Sequence, residues 1–459
     1  MHTGATKGHA GVSNDAAGRD VAVAVDIGGS KFVVGFVDGA GEVLATERRT
    51  WLDPAPEDIV SCITAALDGL FQAHSNIVPR VIAGGVTIPG FADPVTGDWI
   101  DSDAPVVRDL PICSLLSDRM GLPFYGDNDC NACVLAESRF GSGRGLDDFF
   151  YMTVSSGVGG GVFLGGRLYY GARCESGEIG LAIMEPQGRP SRSGNQTGPL
   201  EMYACTEGMA RNYIDAGGCL HGDIACVGGR EIALAAREGD AAAARALELE
   251  GAYLGRAIAE LDALLAPERV VVGGGISLMF DRYADALLSE LRRVRPHTAL
   301  EVVASRLGYN GAFLGAAACA FRGAQEVPRA FGVGEGASVL KIDVEPVGSI
   351  PVHLVVDGES VSSGDLGGFL VADGVGDAGA LLGDMAASCE SGRAAAFGDA
   401  LGRALAFSCM VLDPSALAFG PRLSALRSEL EPAILEALAR DTYWKRDELP
   451  YRMVWSSKA

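Results

Sequence analysis

The sequence predicts an α/β protein, and three observations carry that prediction. Strand-like and helix-like segments alternate along the chain, the first strands turn back on glycine as a hairpin, and a helix–strand unit from the middle recurs near the C-terminus. Residues 21–25 (Val21-Ala22-Val23-Ala24-Val25) read as a short apolar strand. Asp26-Ile27-Gly28-Gly29-Ser30-Lys31 follows, then strands over 32–37 and 42–48, separated by the turn Asp38-Gly39-Ala40-Gly41. A dinucleotide-binding start differs, because there a helix follows the glycines. Residues 56–73 have helical periodicity, and 81–86 read as a buried strand ended by Thr87-Ile88-Pro89-Gly90. A helix over 131–140 and a strand over 149–154 come next. The glycine-rich loop 155–161 leads into a strand over 162–164. A long Ala/Leu-rich helix over 241–265 precedes a buried strand at 269–272, which stops at Gly273-Gly274-Gly275.

The repeat aligns without gaps. Leu254-Gly255-Arg256-Ala257-Ile258-Ala259 recurs as Leu401-Gly402-Arg403-Ala404-Leu405-Ala406. Leu265 and Pro267 then meet Leu412 and Pro414, and Gly273 and Ser277 meet Gly420 and Ser424. Ser176-Gly177-Glu178-Ile179-Gly180 has a looser echo in Ser363-Gly364-Asp365-Leu366-Gly367. The second copy has Gly420-Pro421-Arg422 in place of three glycines, and no counterpart of the loop at 155–161. Residues from about Pro328 onward therefore read as a degenerate half-copy; chance likeness of two Ala/Leu-rich helices is the alternative.

Composition narrows the function. The 459 residues carry a net charge of −22, which opposes nucleic acid and anionic membranes. The longest basic cluster is Arg292-Arg293-Val294-Arg295. No uninterrupted apolar run approaches the roughly 20 residues of a membrane span. The polar stretch 1–19 lacks an apolar signal core and reads as a disordered tail on a cytoplasmic protein. Eleven scattered cysteines, an odd number, fit reduced thiols used as small apolar fillers.

Several segments carry chemistry. In the hairpin at 26–31, Gly28 and Gly29 let backbone N–H groups approach a phosphate. Ser30 adds a hydroxyl donor, and the Asp26 carboxylate can hold Mg²⁺ directly or through water. A plain tight turn is the alternative. In the loop at 155–161, Ser155, Ser156, Gly157 and Gly159 offer a second cradle, the alternative being a flexible turn. Gly273, Gly274 and Gly275, with Ile276 and Ser277, could pack a base or ribose on backbone. Between a strand-like 123–125 and a helix stands Gly126-Asp127-Asn128-Asp129. A carboxylate there can take the proton of a hydroxyl attacking a γ-phosphoryl group; Asp129 is the candidate and Asp127 its competitor. Cys130 and Cys133 read as packing residues on the helix.

Taken in order, these segments resemble the ROK family (repressors, uncharacterised reading frames and sugar kinases) of the actin-like ATPase superfamily. The resemblance covers roughly residues 20–325. It rests on 26–31, Gly85-Val86-Thr87-Ile88-Pro89-Gly90, 128–132, 153–161, Gly177-Glu178-Ile179-Gly180, Leu200-Glu201, 273–277 and 308–317. It implies a two-lobed actin-like (ribonuclease H-like) fold around a cleft. The expected parts are a lobe at 20–127 with a return helix near 310–325, a large lobe at 128–309, and the degenerate copy at 328–459. It implies ATP-dependent phosphorylation of a sugar, with Asp129 as general base and Asn128, Glu178 and Glu201 on the sugar. Gly90 and Asp103 would lie near the sugar. The loops at 26–31 and 155–161 would hold the ATP phosphates with Mg²⁺ near Asp26, and 273–277 the adenosine.

The departures are specific. The family's His after Gly-Glu-x-Gly is Leu181 here, and its zinc motif appears as residues 191–201 with Ser191, Ser193 and Pro199 in place of thiolates. Without thiolate or imidazole no zinc site forms there. A zinc site rebuilt from Cys219, His221 and Cys226 is the alternative. The segment Asp103-Ala104-Pro105 departs from the family's Asn-Leu-Pro, so the substrate need not be glucose. A non-catalytic sugar sensor is the second reading. A repressor would need a helix-turn-helix that the short polar N-terminal stretch cannot build. The C-terminal copy is expected to dock on the main lobe as a pseudo-partner, leaving the protein monomeric.

Overall fold

The computed structural model describes residues 20–51, 54–103, 105–219, 228–325, 331–334, 336–344, 349–366, 391–444 and 449–456. The expected tail at 1–19, Ala104, His221, Cys226, Pro328 and Gly367 lie outside the described residues. The chain divides into two units, Met1–Ala136 with Ala312–Arg329, and Glu137–Gly311 with Ala330–Ala459.

In the first unit, strands β1 (Val21–Ile27), β2 (Lys31–Asp38), β3 (Val43–Thr50), β4 (Val81–Ile88) and β8 (Phe124–Asn128) form one sheet. Their order is β3-β2-β1-β4-β8; the first three pair antiparallel, and β1, β4 and β8 run parallel. Val21 to Val25 are fully buried, as expected of a central strand covered on both faces. Helix α1 (Pro56–Ala73) starts with Pro at N1 and buries Ile59, Ile63, Leu67 and Leu70. A small sheet of β5 (Phe91–Ala92), β6 (Trp99–Asp103) and β7 (Val106–Leu110) follows β4, and α2 (Ile112–Met120) leads to β8. Helix α3 (Asp129–Phe140) begins directly at the end of β8, two residues before the expected 131, because Asn128 caps it.

The second unit contains the same strand order twice. One sheet is β11-β10-β9-β12-β13, from β9 (Phe149–Val154), β10 (Val158–Leu164), β11 (Arg167–Tyr169), β12 (Arg269–Gly273) and β13 (Glu301–Ala304). Helices α4 (Thr206–Asp215), α5 (Gly229–Arg237), α6 (Ala241–Leu265) and α7 (Ala284–Val294) accompany it. Asp240 caps α6 by accepting from the N–H groups of Ala242 and Ala243. Helix α8 (Gly311–Gln325) carries the chain back toward the first unit's sequence block. The last sheet, β16-β15-β14-β17-β18, is built from β14 (Ser338–Ile342), β15 (Pro351–Val356), β16 (Glu359–Asp365), β17 (Ala416–Phe419) and β18 (Arg452–Trp455). Helices α9 (Ser391–Leu412) and α10 (Arg427–Asp441) belong to it.

The C-terminal copy thus carries all five strands of the order, more than the helix–strand pair visible in the repeat. α6 and α9, and β12 and β17, occupy matching places in their sheets, in the register of the gap-free alignment. The connection between β14 and β15 stands where the serine/glycine turn stands in the first copy. It holds a single glycine, Gly348, which lies outside the described residues.

One continuous apolar core joins both copies in this unit, drawing Leu254, Ile258 and Leu265 from α6 together with Leu401, Leu405 and Leu412 from α9. Within α9 the stretch Ala395–Leu412 is long and apolar enough to cross a membrane, a feature the run-length reading missed because Asp399 and Arg403 interrupt it. It is mostly buried against its own domain, as a core helix is. Glu250, on the buried face of α6, and the hydroxyl of Tyr283 are both buried, with no hydrogen-bond partner among the described residues. Burial holds the Glu250 carboxyl well above the usual carboxylate range.

Candidate active site

In the first unit the chemistry gathers at the C-terminal ends of β1, β4 and β8. The register places Asp26 of β1 beside Thr87 of β4, and Thr87 beside Asp127 of β8. The Thr87 hydroxyl donates to Asp26 Oδ1 at 2.8 Å and accepts from the Ile27 N–H at 3.3 Å. Burial raises the Asp26 carboxyl above its ordinary range, against the Thr87 bond and the charges of Lys31 and Arg48. The glycine turn is closed by Gly28 N–H to the Lys31 carbonyl at 2.9 Å. Trp51 braces it from outside. Its indole N–H donates to the carbonyls of Gly28 and Gly29, both at 3.2 Å, and its backbone N–H to the Ser30 carbonyl at 3.1 Å. The indole also packs on Phe32, with ring centroids 4.7 Å apart.

Asp129 is the first residue of α3 and half-buried. Its Oδ1 accepts from the Cys130 N–H at 2.8 Å. Burial raises its carboxyl above the ordinary range, and the Asp26 charge adds to that. Asn128 Oδ1 accepts from the same Cys130 N–H at 2.8 Å, and Asn128 Nδ2 donates to the Gly90 carbonyl at 2.7 Å. Gly90 and Asn128 are therefore brought together, but the Asn128 amide is already committed to capping and bracing. Asp127 is 3% exposed and accepts from the Asn128 N–H and from Asn131 Nδ2 at 2.9 and 3.1 Å. Asp103, at the end of β6, has a side chain 97% exposed and paired with Arg108 at 3.3 Å.

In the second unit the loop of the second cradle is shorter than expected. β10 starts at Val158, so Gly159 is a strand residue paired with Thr153, and the turn itself is 155–157. Ser155 N–H bonds the Gly157 carbonyl at 2.9 Å, and the Ser155 carbonyl accepts from Thr206 N–H and Oγ1, both at 2.8 Å. Ser156 offers its carbonyl to Arg192 at 2.6 Å. Glu201 accepts a backbone bond from Val158, and burial raises its carboxyl, with Arg192 opposing. Gly274 has φ +80°, and a 3₁₀ turn (Gly275–Arg282) follows in place of an α-helix. Ser155 from the turn and Gly275 line a pocket of about 580 Å³, together with Thr206, Ile276, Arg282 and Tyr309 among others. Glu178 is half-buried, just before a 3₁₀ turn (Ile179–Leu181) that contains Leu181.

The segment matching the family's zinc motif does not fit a zinc ion. Ser191 Oγ lies 3.2 Å from Ser193 Oγ and accepts from the Gln196 N–H at 3.1 Å. The Cys205 thiol, which takes a bond from Arg192, caps α4 by accepting from Gly208 N–H, and burial raises its proton affinity. Among the described residues no three His, Cys, Asp or Glu side chains are grouped to hold a metal ion. Cys219 is an exposed free thiol.

Sequence reasoning missed Thr87 as the Asp26 partner, although it lay inside a quoted motif, and it missed Trp51, Arg192 and Tyr309. Trp51 carries no sequence signal, since only the β3 register brings it to the turn.

A family model described as "ROK family" matches residues 22–322. A glucokinase from Halalkalibacterium halodurans is 30% identical over 309 residues, covering 64% of this chain and 90% of the relative. Two crystal structures match the fold. A ROK family glucokinase from Streptomyces griseus, in complex with glucose and AMPPNP, has a TM-score of 0.57 at 29% identity, over 66% of this chain and 99% of its own. A ROK hexokinase from Thermus thermophilus has a TM-score of 0.57 at 31% identity, over 66% and 98%. The fold is the α/β actin-like ATPase class, with an additional C-terminal sheet. With residues 22–322 matched, and the glycine turns, Asp129 and Glu201 all inside that span, the chain belongs to the ROK family.

Proposed function

We propose that this chain is an ATP-dependent kinase acting on a hydroxyl of a sugar or amino sugar, with Asp129 as general base. The observation that carries the reading is the contrast between two neighbouring carboxylates. Asp127 is buried, with Asn128 and Asn131 both donating to its Oδ1, whereas Asp129 is partly open, and burial together with the Asp26 charge raises its proton affinity. A base of raised proton affinity suits abstraction from a hydroxyl. In the proposed step the sugar oxygen bonds to the γ-phosphorus as the bond to the β–γ bridging oxygen breaks. The hydroxyl proton passes to Asp129, and ADP and a sugar phosphate leave. The turns at 28–30 and 155–157 supply N–H groups for the phosphates, and the pocket at Gly275 and Tyr309 accommodates the nucleoside. Asp26 would hold the divalent cation that accompanies ATP, which supplies charge neutralisation at the phosphates. Glu178 and Glu201 would accept from sugar hydroxyls.

The second reading, a sugar sensor without turnover, is favoured by Leu181 in the family's His position and by the committed Asn128 amide. A screen of hexoses and amino sugars with Mg-ATP, read as ADP release, separates the two. A kinase forms ADP faster with its sugar, and a sensor does not. We also propose that the enzyme holds no zinc and works as a monomer, its C-terminal copy standing in for a second subunit.

A further inference from the structure

We infer that the C-terminal copy is a positioning element for Glu178: the end of α9, with Asp413 and Tyr443, fixes the backbone of residues 169–178 from which that side chain projects. The inference rests on the kinase reading for its consequence but not for its geometry. A helix leaves its last carbonyls without partners inside the helix. At the end of α9, four consecutive carbonyls each take a donor from this one segment. Met410 accepts from the Glu178 N–H at 3.0 Å, Val411 from the Gly177 N–H at 2.9 Å, Leu412 from the Tyr169 hydroxyl at 2.7 Å, and Asp413 from the Ala172 N–H at 2.7 Å. The Asp413 carboxylate, fully buried, adds the Arg173 N–H at 2.6 Å, the Glu175 N–H at 3.3 Å and the Arg173 guanidinium. The Tyr443 hydroxyl donates to Glu175, and the Glu178 charge acts on it as well. On the far side, buried Gln196 donates to the carbonyls of Leu181 and Asp441 at 3.3 and 3.4 Å.

Two features mark this as a device of the second copy. In the gap-free alignment Asp413 takes the place of Ala266, and both residues close their helices in the left-handed region, at φ +43° and +46°. The carboxylate is thus new at an otherwise matching position. The contacts are also reciprocal. The end of α6 meets the echo segment of the second copy, where Ser362 Oγ donates to the Leu265 carbonyl at 3.1 Å. There Gly364 lies so close that a Cβ would stand 2.2 Å from the Ala263 and Leu264 carbonyls. Each helix end serves the other copy's segment, the exchange expected of a two-fold interface. Glu178 thus stands at the end of a segment, 169–178, that peptide carbonyls and one carboxylate of the second copy hold.

The test uses the full-length protein with three substitutions. Asp413→Ala keeps the backbone requirement that Ala266 already meets, Tyr443→Phe removes one hydroxyl, and Leu438→Ala creates a cavity in α10 without removing any of the bonds named above. Sugar KM, ATP KM, melting temperature and amide exchange over 172–178 are measured. Asp413→Ala is expected to raise sugar KM tenfold or more with ATP KM within twofold, and to speed exchange at 172–178 at least tenfold. Tyr443→Phe should raise sugar KM about threefold, and Asp413→Asn should recover part of the loss. Leu438→Ala should lower the melting temperature without moving sugar KM. Wild-type sugar KM and wild-type exchange in both Asp413→Ala and Tyr443→Phe overturn the inference. So does an equal KM rise in Leu438→Ala. If the wild type phosphorylates no sugar, the kinase reading fails separately. The exchange data then decide alone: faster exchange confined to 172–178 in Asp413→Ala supports the inference, and unchanged exchange overturns it.

Discussion

Replacing Asp129 by Asn separates chemistry from architecture. The carboxylate Oδ1 accepts from the Cys130 N–H at 2.8 Å, and an amide oxygen can make the same bond, so the start of α3 is retained. The substitution also removes a charge that burial and Asp26 both disfavour, so folding stability is expected to stay level or rise. What is lost is the proton acceptor, and a general base typically contributes about 10²–10⁴-fold in rate, roughly 2.7–5.5 kcal/mol. Steady-state ADP release with the best sugar should therefore fall by that factor, with sugar and ATP KM nearly constant and a melting temperature that does not fall. The wild-type rate should fall at acid pH, as a carboxyl raised above its ordinary value takes up its proton. Asp127→Asn is the comparison. The Asn128 N–H and Asn131 Nδ2 both point at Oδ1, which an amide oxygen can replace, so the two variants are compared at matched stability. Turnover of Asp129→Asn within tenfold of wild type would refute the assignment, and a larger loss in Asp127→Asn at matched stability would move it to Asp127.

Trp51→Phe keeps the stack on Phe32 but removes two long bonds to the Gly28 and Gly29 carbonyls, together worth about 1 kcal/mol; ATP KM should rise about fivefold in ADP-release assays while sugar KM holds. Glu250→Leu removes a buried carboxyl without a partner and should stabilise the fold by about 1–3 kcal/mol in urea titrations at neutral pH. Because the folded-state proton affinity of Glu250 is raised, its stability cost is absent below the ordinary carboxylate range and grows as pH rises from there toward the folded value. The gain from Glu250→Leu should therefore be larger at pH 8 than at pH 5. Elemental analysis of untagged protein should give well under one zinc per chain; one tightly held zinc would point to Cys219, His221 and Cys226. Light scattering should give 47.5 kDa, and a stable species of twice that mass would contradict the pseudo-partner reading.

The sequence made the order of elements legible because both signals it depends on are local. The alternating valines of β1 and the apolar face of α1 need no tertiary information, and the predicted helix over 56–73 matches α1 residue for residue. Boundaries moved where a distant partner decides them. Gly159 to Gly161 read as loop by composition, yet β9 supplies a pairing strand and they extend β10. Asp129 entered the helix because the Asn128 side chain, held by Gly90 from another strand end, caps it. Trp51 and Asp413 were beyond reach for the same reason. Each acts through a bond to a residue far along the chain, and nothing in their neighbours' types records it.

The two copies diverge in a pattern their geometry accounts for. Under the proposed function the glycine turn of the first copy serves approach to a phosphate, and the β14–β15 connection, with its single glycine, would carry no such demand. The helix–strand unit has a different demand, because its helix end is an acceptor surface for the other copy. That demand preserves the apolar faces of α6 and α9 in one shared core, and it preserves Gly364, whose replacement would push apart the backbone at Ala263 and Leu264. It does not preserve residue 266, where Ala266 and Asp413 differ, because only the end of α9 abuts a segment bearing a candidate sugar ligand. A two-fold pair within one chain can specialise its halves in this way, since each half is encoded separately. A homodimer cannot, because one substitution appears on both sides of the axis.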